Sequence, residues 1–214
     1  LQYASKRLQD DKELVLVALK TNGNVLQYAS KRLQGDKEVV LAAVKDYGYA
    51  LDDASKRFKD DKEVVLVAVT NDGYNALYCA SKRLKNDKEV VLAAVKNDGN
   101  VLEYASKRLK NDKEVVLAVI TTNGYALQHA SERLQDDKEL VLVAVENYGY
   151  ALDDASKRLK NNKEVVSRAY HKAPSSFEYA SKELKCNKRF LNQLFESNPG
   201  LIFNNCHCSI RKHP

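Results

Sequence analysis

One unit recurs through almost the whole chain, and that periodicity limits the possible folds more than any other feature. The run Tyr3-Ala4-Ser5-Lys6-Arg7-Leu8 returns, with substitutions, around Ala29, Ala54, Ala80, Ala105, Ala130, Ala155 and Ala180. The spacing is 25 residues except once, where Asn75 makes it 26. Eight copies fill about nine tenths of the 214 residues. Residues 26–65 and 127–166 match at 30 of 40 positions, so a block of four units has itself been duplicated.

Each unit is expected to hold two short helices. In the first, Leu51, Ala54, Ser55 and Phe58 fall at i, i+3, i+4 and i+7, one face of a helix, with Asp52, Asp53, Lys56, Arg57 and Lys59 opposite. The second opens with the spacing of a capping box, Asp60 with Glu63, Asn86 with Glu89 and Asn111 with Glu114, followed directly by an apolar run such as Val64–Val69. Gly23, Gly48, Gly73, Gly99, Gly124 and Gly149 sit where a left-handed residue would stop that helix, and Pro174 replaces the glycine in the eighth unit. A 25-residue period also suits a leucine-rich repeat, but the spaced Leu/Asn pattern of that family is absent and helix signals bracket every Val run.

Helices this short are marginal alone and gain stability by stacking on their neighbours, so the expected fold is an all-α solenoid of eight two-helix repeats. Small residues in one column (Ala18, Ala43, Ala68, Ala94, Ala144) would let the second helices approach closely. Residues 1–185 form the repeat array, 186–200 a capping helix with one polar side, and 201–214 a basic tail containing Cys and His. The N-terminal side has no equivalent cap. The chain opens at Leu1 and contains no Met, which points to processing or to a piece of a longer protein.

The stretch Lys-Asn-Asp-Lys-Glu-Val-Val-Leu-Ala-Ala-Val-Lys-Asn-Asp-Gly-Asn-Val-Leu-Glu-Tyr-Ala-Ser-Lys-Arg-Leu, residues 85–109, resembles the tandem repeat family called domain of unknown function 4116. The resemblance covers residues 1 to about 195 and matches at every turn of every unit. It implies an all-helical tandem array with no known activity, and so bears on fold rather than on chemistry.

Composition narrows the function classes. With 44% apolar and 30% charged residues, eight Gly and three Pro, the chain is neither collagenous nor low-complexity, and it has too few turn residues for a β-sandwich. No run of about 18 apolar residues exists to span a membrane, and no signal peptide is visible. Four Cys make no disulfide scaffold, so a reducing, intracellular setting is expected. Residues 1–185 carry 31 Lys/Arg against 28 Asp/Glu, and residues 186–214 four against one, so only the tail is clearly basic.

No catalytic residue and no cofactor is expected. His129 and His171 lie in columns where other units carry Tyr, Asp, Cys or Lys, no glycine-rich phosphate loop exists, and Asp52-Asp53 and Asp153-Asp154 diverge by about 100° on a helix. Cys206, Cys208 and His213 are a weak zinc candidate, because their spacing is not that of a structural finger. The best binding surface is the exposed face of the first helix, where one column reads Tyr3, Tyr28, Asp53, Cys79, Tyr104, His129, Asp154, Tyr179 and its neighbour includes Tyr78. These positions vary while the flanking Ala-Ser-Lys-Arg does not, the pattern of a fixed scaffold carrying variable recognition residues, though a seam between helices would give the same column. A second ladder, Lys31-Arg32, Lys56-Arg57, Lys82-Arg83, Lys107-Arg108 and Lys157-Arg158, could contact phosphates, but Asp and Glu in every unit and the interruptions at Glu132 and Glu183 favour ion pairing between repeats. The reading is a non-catalytic scaffold that binds protein, with end-to-end docking at the N-terminal face as one route. Nucleic-acid binding is the alternative.

Overall fold

The computed structural model describes residues 1–96 and 98–196, and among these the chain is all-helical, with no strand. It divides into two units, Leu1–Val115 and Val116–Pro214, the division falling inside the helix Lys113–Thr122.

The backbone motif recurs with the sequence period. In the first unit the long helices are Lys12–Leu19, Lys37–Asp46, Lys62–Asn71 and Lys88–Val95, and in the second Lys138–Asn147, Lys163–Lys172 and Lys188–Glu196. Each of the middle helices starts on an Asp or Asn whose side chain accepts from the next two free backbone N–H groups. Asp36 Oδ1, for example, takes the N–H of Glu38 (3.0 Å) and of Val39 (3.2 Å). The cap is therefore Asp61, Asp87 or Asp112, one residue beyond the capping-box position expected at Asp60, Asn86 or Asn111, and the following Glu is the second helical residue. Valine-rich runs have modest helix propensity, so burial must hold them. Val39, Val40, Val44, Val64, Val65, Val69, Val90 and Val91 are fully buried. The terminal helix Lys188–Glu196 is amphipathic instead, with Phe190, Leu191 and Leu194 inside and Asn192 and Gln193 outside.

The glycines do a different job from the one expected. None of those described adopts the left-handed conformation that a helix stop would use. The long helices Lys37–Asp46, Lys138–Asn147 and Lys163–Lys172 end instead on an extended residue, such as Tyr47 at φ −139°, ψ 101° or Tyr148 at φ −143°, ψ 99°, whereas Lys88–Val95 ends on Lys96 in the helical region (φ −60°, ψ −25°). The glycine then opens a short helix and is pressed against the long helix of the next repeat. A Cβ on Gly23 would lie 2.6 Å from the Ala43 carbonyl oxygen, and one on Gly124 2.5 Å from that of Ala144. The alanine column supplies the other half of this contact, since Ala43, Ala68, Ala94 and Ala144 are fully buried.

The first helix of each unit is not continuous. A 3-10 helix such as Gly48–Asp52 or Gly149–Asp154 is followed by an Ala-Ser break and then a single turn such as Phe58–Asp60 or Lys157–Lys160. Two interactions make the break. The Ser hydroxyl caps the following turn, as when the Leu159 N–H donates to Ser156 Oγ (3.2 Å), and extended alanines (Ala29 φ −71°, ψ 157°; Ala155 φ −72°, ψ 154°) lead into it. The Ser backbone N–H is thereby freed to donate to the preceding repeat. In the first unit Ser30, Ser55, Ser81 and Ser106 reach the carbonyls of Gln9 (2.9 Å), Gln34 (2.9 Å), Lys59 (2.7 Å) and Lys85 (2.9 Å). In the second, Ser156 reaches Gln135 (3.0 Å) and Ser181 reaches Lys160 (2.8 Å). The one 26-residue unit absorbs its extra residue here, because Gly73–Cys79 is an α-helix rather than a 3-10 helix. Seven residues at about 1.5 Å rise span nearly the same length as five or six at about 2.0 Å.

Replacing Gly124 with Ala should drive a methyl into the Ala144 carbonyl and lower stability by about 1–3 kcal/mol. Chemical denaturation of the full chain would measure this. Gly35→Ala, where nothing lies within 4 Å of the added atom, should show no such loss.

Candidate interaction surface

The Lys-Arg ladder is largely occupied within the molecule. In the first unit Arg32 Nε donates to Asp10 Oδ1 (3.0 Å) and its Nη2 to the Asp10 carbonyl (2.6 Å), while Ser30 Oγ donates to the same carboxylate. Ser81 and Arg83 hold Asp60 in the same way, Arg83 Nε at 3.0 Å. Ser106 and Arg108 hold Asn86, at 2.6 and 2.9 Å. In the second unit Ser156 and Arg158 hold Asp136, Arg158 Nε at 3.0 Å. At the last junction the polarity is reversed. Glu183 replaces the arginine, Asn161 stands in the partner position, and the Asn161 side chain donates to Glu183 Oε2 (2.8 Å). The residues that looked like half a capping box therefore belong to a clamp between repeats. Ser and Arg hold the carboxyls of Asp10, Asp60 and Asp136 below the usual carboxylate range, so the clamps contribute at neutral pH and weaken as pH falls through those lowered values.

One clamp is defective. Gly35 occupies the Asp position before Ser55 and Arg57, so Arg57 Nη2 reaches only the Gly35 carbonyl and the buried Ser55 hydroxyl has no partner.

A second set of lysines bridges successive long helices. In the first unit Lys12 contacts Asp36 (2.8 Å) and Glu38 (2.9 Å), Lys37 contacts Asp61 (3.0 Å) and Glu63 (2.8 Å), and Lys62 contacts Asp87 (2.8 Å) and Glu89 (2.7 Å). Lys88 continues the series to Asp112 (2.9 Å) and Glu114 (2.8 Å), and in the second unit Lys138 meets Glu164 (2.7 Å). Lys31, Lys56, Lys82, Lys107 and Lys157 are exposed, so only the Lys half of the proposed phosphate ladder faces solvent unclamped.

The variable column is mostly a half-buried seam rather than an open face. Tyr3 is exposed, Tyr28, Asp53, Tyr104, His129, Asp154 and Tyr179 are half-buried, and Cys79 is buried. Burial, with Asp52 nearby, pushes the Cys79 thiol up to about 11, away from reactive thiolate character. The column is half-covered because consecutive short helices pack side by side. Tyr28 borders an open depression with Gln2, Lys6, Gln9, Gln27 and Gln34. Around Tyr104 the seam is aromatic. The Tyr104 hydroxyl donates to that of Tyr74 (2.7 Å), which donates to Glu103 Oε2 (3.1 Å). Tyr78, half exposed, meets the Tyr104 ring edge-on at 5.2 Å, and Lys85 Nζ sits over both rings at 5.7 and 5.8 Å.

In the second unit the column joins a row of rings that the column pattern alone did not reveal. Tyr125 and Tyr148 lie 5.9 Å apart, Tyr148 and Tyr150 5.4 Å, and Tyr150 and Tyr179 6.4 Å. The available signal was the tyrosine directly before or after Gly48, Gly73, Gly124 and Gly149, at Tyr47, Tyr49, Tyr74, Tyr125, Tyr148 and Tyr150. Beside this row burial, then Asp153, push the Asp154 carboxyl up to about 6 against the pull of Lys160.

Among the described residues no group of three His, Cys, Asp or Glu is placed to hold a metal ion, and no helix is long and apolar enough to cross a membrane. Cys206, Cys208 and His213 lie outside the described residues.

A family model described as a domain of unknown function (DUF4116) matches residues 1–34, 36–85, 69–110, 87–135, 112–160 and 137–185. No curated protein and no solved structure matches the chain.

Two substitutions test the electrostatics of these positions. Gly35→Asp should complete the defective clamp by giving Ser55 and Arg57 a carboxylate, and raise stability by about 1 kcal/mol in denaturant titration. Asp154→Asn should raise the melting temperature at pH 7.5. Because the folded-state pKa is raised, that gain should shrink as pH falls through about 6 and vanish near the ordinary value of 3.8, where the native carboxyl is already neutral.

Proposed function

The chain belongs to the DUF4116 family of tandem repeats, and from that premise we propose that it is a non-catalytic α-solenoid of eight two-helix units that binds protein partners. The observation that carries this reading is the division of labour along each repeat. The recurring Ser, Arg and Asp or Asn join one repeat to the next, while positions that differ between repeats reach the surface, among them Tyr78, Tyr125 and Tyr148. A stack held by its recurring residues can change its surface without changing its frame, as recognition by helical arrays requires. Non-catalytic function is inferred from the interchangeable columns holding His129 and His171.

The first repeat offers a further docking element. Leu8, Leu14 and Val17 are 44%, 38% and 61% exposed, whereas the matching Leu33 and Val39 are fully buried against the repeat before them. A helical repeat of similar build, in the same polypeptide or in a partner, suits such a face.

Size exclusion with light scattering, at low and high salt, and cross-linking of the full chain in lysate read by mass spectrometry test the proposal. A protein complex that survives high salt is the expected result. Monomer at high salt with nucleic acid recovered at low salt would instead support phosphate binding by the exposed lysines, since that mode weakens steeply with salt.

A further inference from the structure

The tyrosine row of the second unit has the chemistry of a binding strip for one kind of side chain. Tyr125 and Tyr148 are 48% and 39% exposed although both are large aromatics. Their rings meet near-perpendicularly (80°), and the row continues inward through Tyr150 to Tyr179. Edge-to-face packing fixes the rings to one another, so a ligand meets a preformed surface.

Carboxylates border the half-buried end. Asp153 is exposed and Asp154 half-buried, and Lys160 makes one ion pair with Asp153 at 3.3 Å, so a single ammonium serves two adjacent acids. Asp153 and Asp154 end the short helix Gly149–Asp154 that carries Tyr150, and Glu178 directly precedes Tyr179 in the short helix Pro174–Tyr179. Lys185 Nζ donates to the Glu178 backbone carbonyl rather than to its carboxylate.

The first unit illustrates what such rings accept. There the cluster around Tyr78 and Tyr104 holds the chain's own cation, Lys85, over both ring faces. Lys160 occupies the same repeat position in the second unit and turns to Asp153 instead. Exposed tyrosine faces next to carboxylates suit a guanidinium better than an ammonium, because the planar group stacks on a ring and pairs with a carboxylate through two parallel N–H bonds.

We propose that the row Tyr125–Tyr148–Tyr150–Tyr179, bordered by Asp153, Asp154 and Glu178, is a docking strip for an arginine-bearing segment of a partner protein. This rests on the protein-binding reading above and adds the chemistry of the partner.

The test is fluorescence anisotropy of the full chain with a labelled Gly-Arg-Gly-Gly-Arg-Gly peptide and its lysine counterpart, at fixed salt. The arginine peptide should bind several-fold more tightly. The double variant Tyr125→Ala/Tyr148→Ala should weaken it on the order of tenfold, and Asp153→Asn should weaken it with the rings intact. Thr70→Ala, at an exposed position on the long helix Lys62–Asn71 of the first unit, should leave it unchanged. Circular dichroism of each variant confirms that the fold is kept. Equal affinity for the two peptides, or full affinity in the double variant, would overturn the strip. So would cross-linking that captures the same partner with the double variant as with the wild type, and in that case the protein-binding reading would stand. If neither the peptide nor any protein binds, both fall.

Discussion

The contact on which the remaining structure depends is a glycine lying on the backbone of the next long helix. At Gly23 a methyl group would fall 2.6 Å from the Ala43 carbonyl oxygen, and that oxygen already accepts the Tyr47 N–H that ends its helix (3.0 Å). The carbonyl therefore has little room to move, and alanine below and glycine above set the distance between successive repeats. At that distance the Ser N–H reaches the carbonyl of the repeat before it, and the Arg clamp and the bridging lysines come into range. A close apolar approach thus places an otherwise weak set of exposed polar contacts in register.

That order of dependence explains why so many charges of this chain are engaged between repeats. Each bridging lysine of the first unit from Lys12 to Lys88 answers two carboxylates, and the arginines of the Lys-Arg pairs turn back onto the preceding repeat. The reversed junction at Asn161 and Glu183 is informative because the charge of both partners changed while the bond survived. An asparagine can donate to a carboxylate or accept from a guanidinium, so a neutral residue there lets the opposite position change sign. Gly35 has no such adaptability, and the Ser55 hydroxyl is left without a partner.

The surface positions follow another logic. Lys85 lies over Tyr78 and Tyr104, so that aromatic seam carries the chain's own cation, whereas the exposed Tyr125 and Tyr148 meet each other edge-on in an open row. The charge of the half-buried Asp154 adds a stability cost at neutral pH beside that row. Such a cost is tolerable in an array because each repeat is supported mainly by its neighbours, and one weak junction does not dissolve the others.

The period, the all-helical character and the valine core were legible in the sequence because they rest on local pattern. Apolar runs flanked by capping acids and followed by glycine make helices under most tertiary conditions. The break at Ala54-Ser55 was not legible, since Leu51, Ala54 and Phe58 keep helical spacing whether one helix or two turns carry them. Nor was the role of the glycines, because a left-handed stop and a close contact ask for the same residue. The acids at 60 and 61 differ by one place in the chain, yet one clamps the next repeat and the other caps its own helix. The sequence by itself determined that this protein is a repeating helical chain with a fixed polar signature. Only the tertiary structure decided which charges are consumed between repeats and which rings remain exposed, because those outcomes depend on residues 20 to 30 positions apart meeting at a distance that the glycine contact sets.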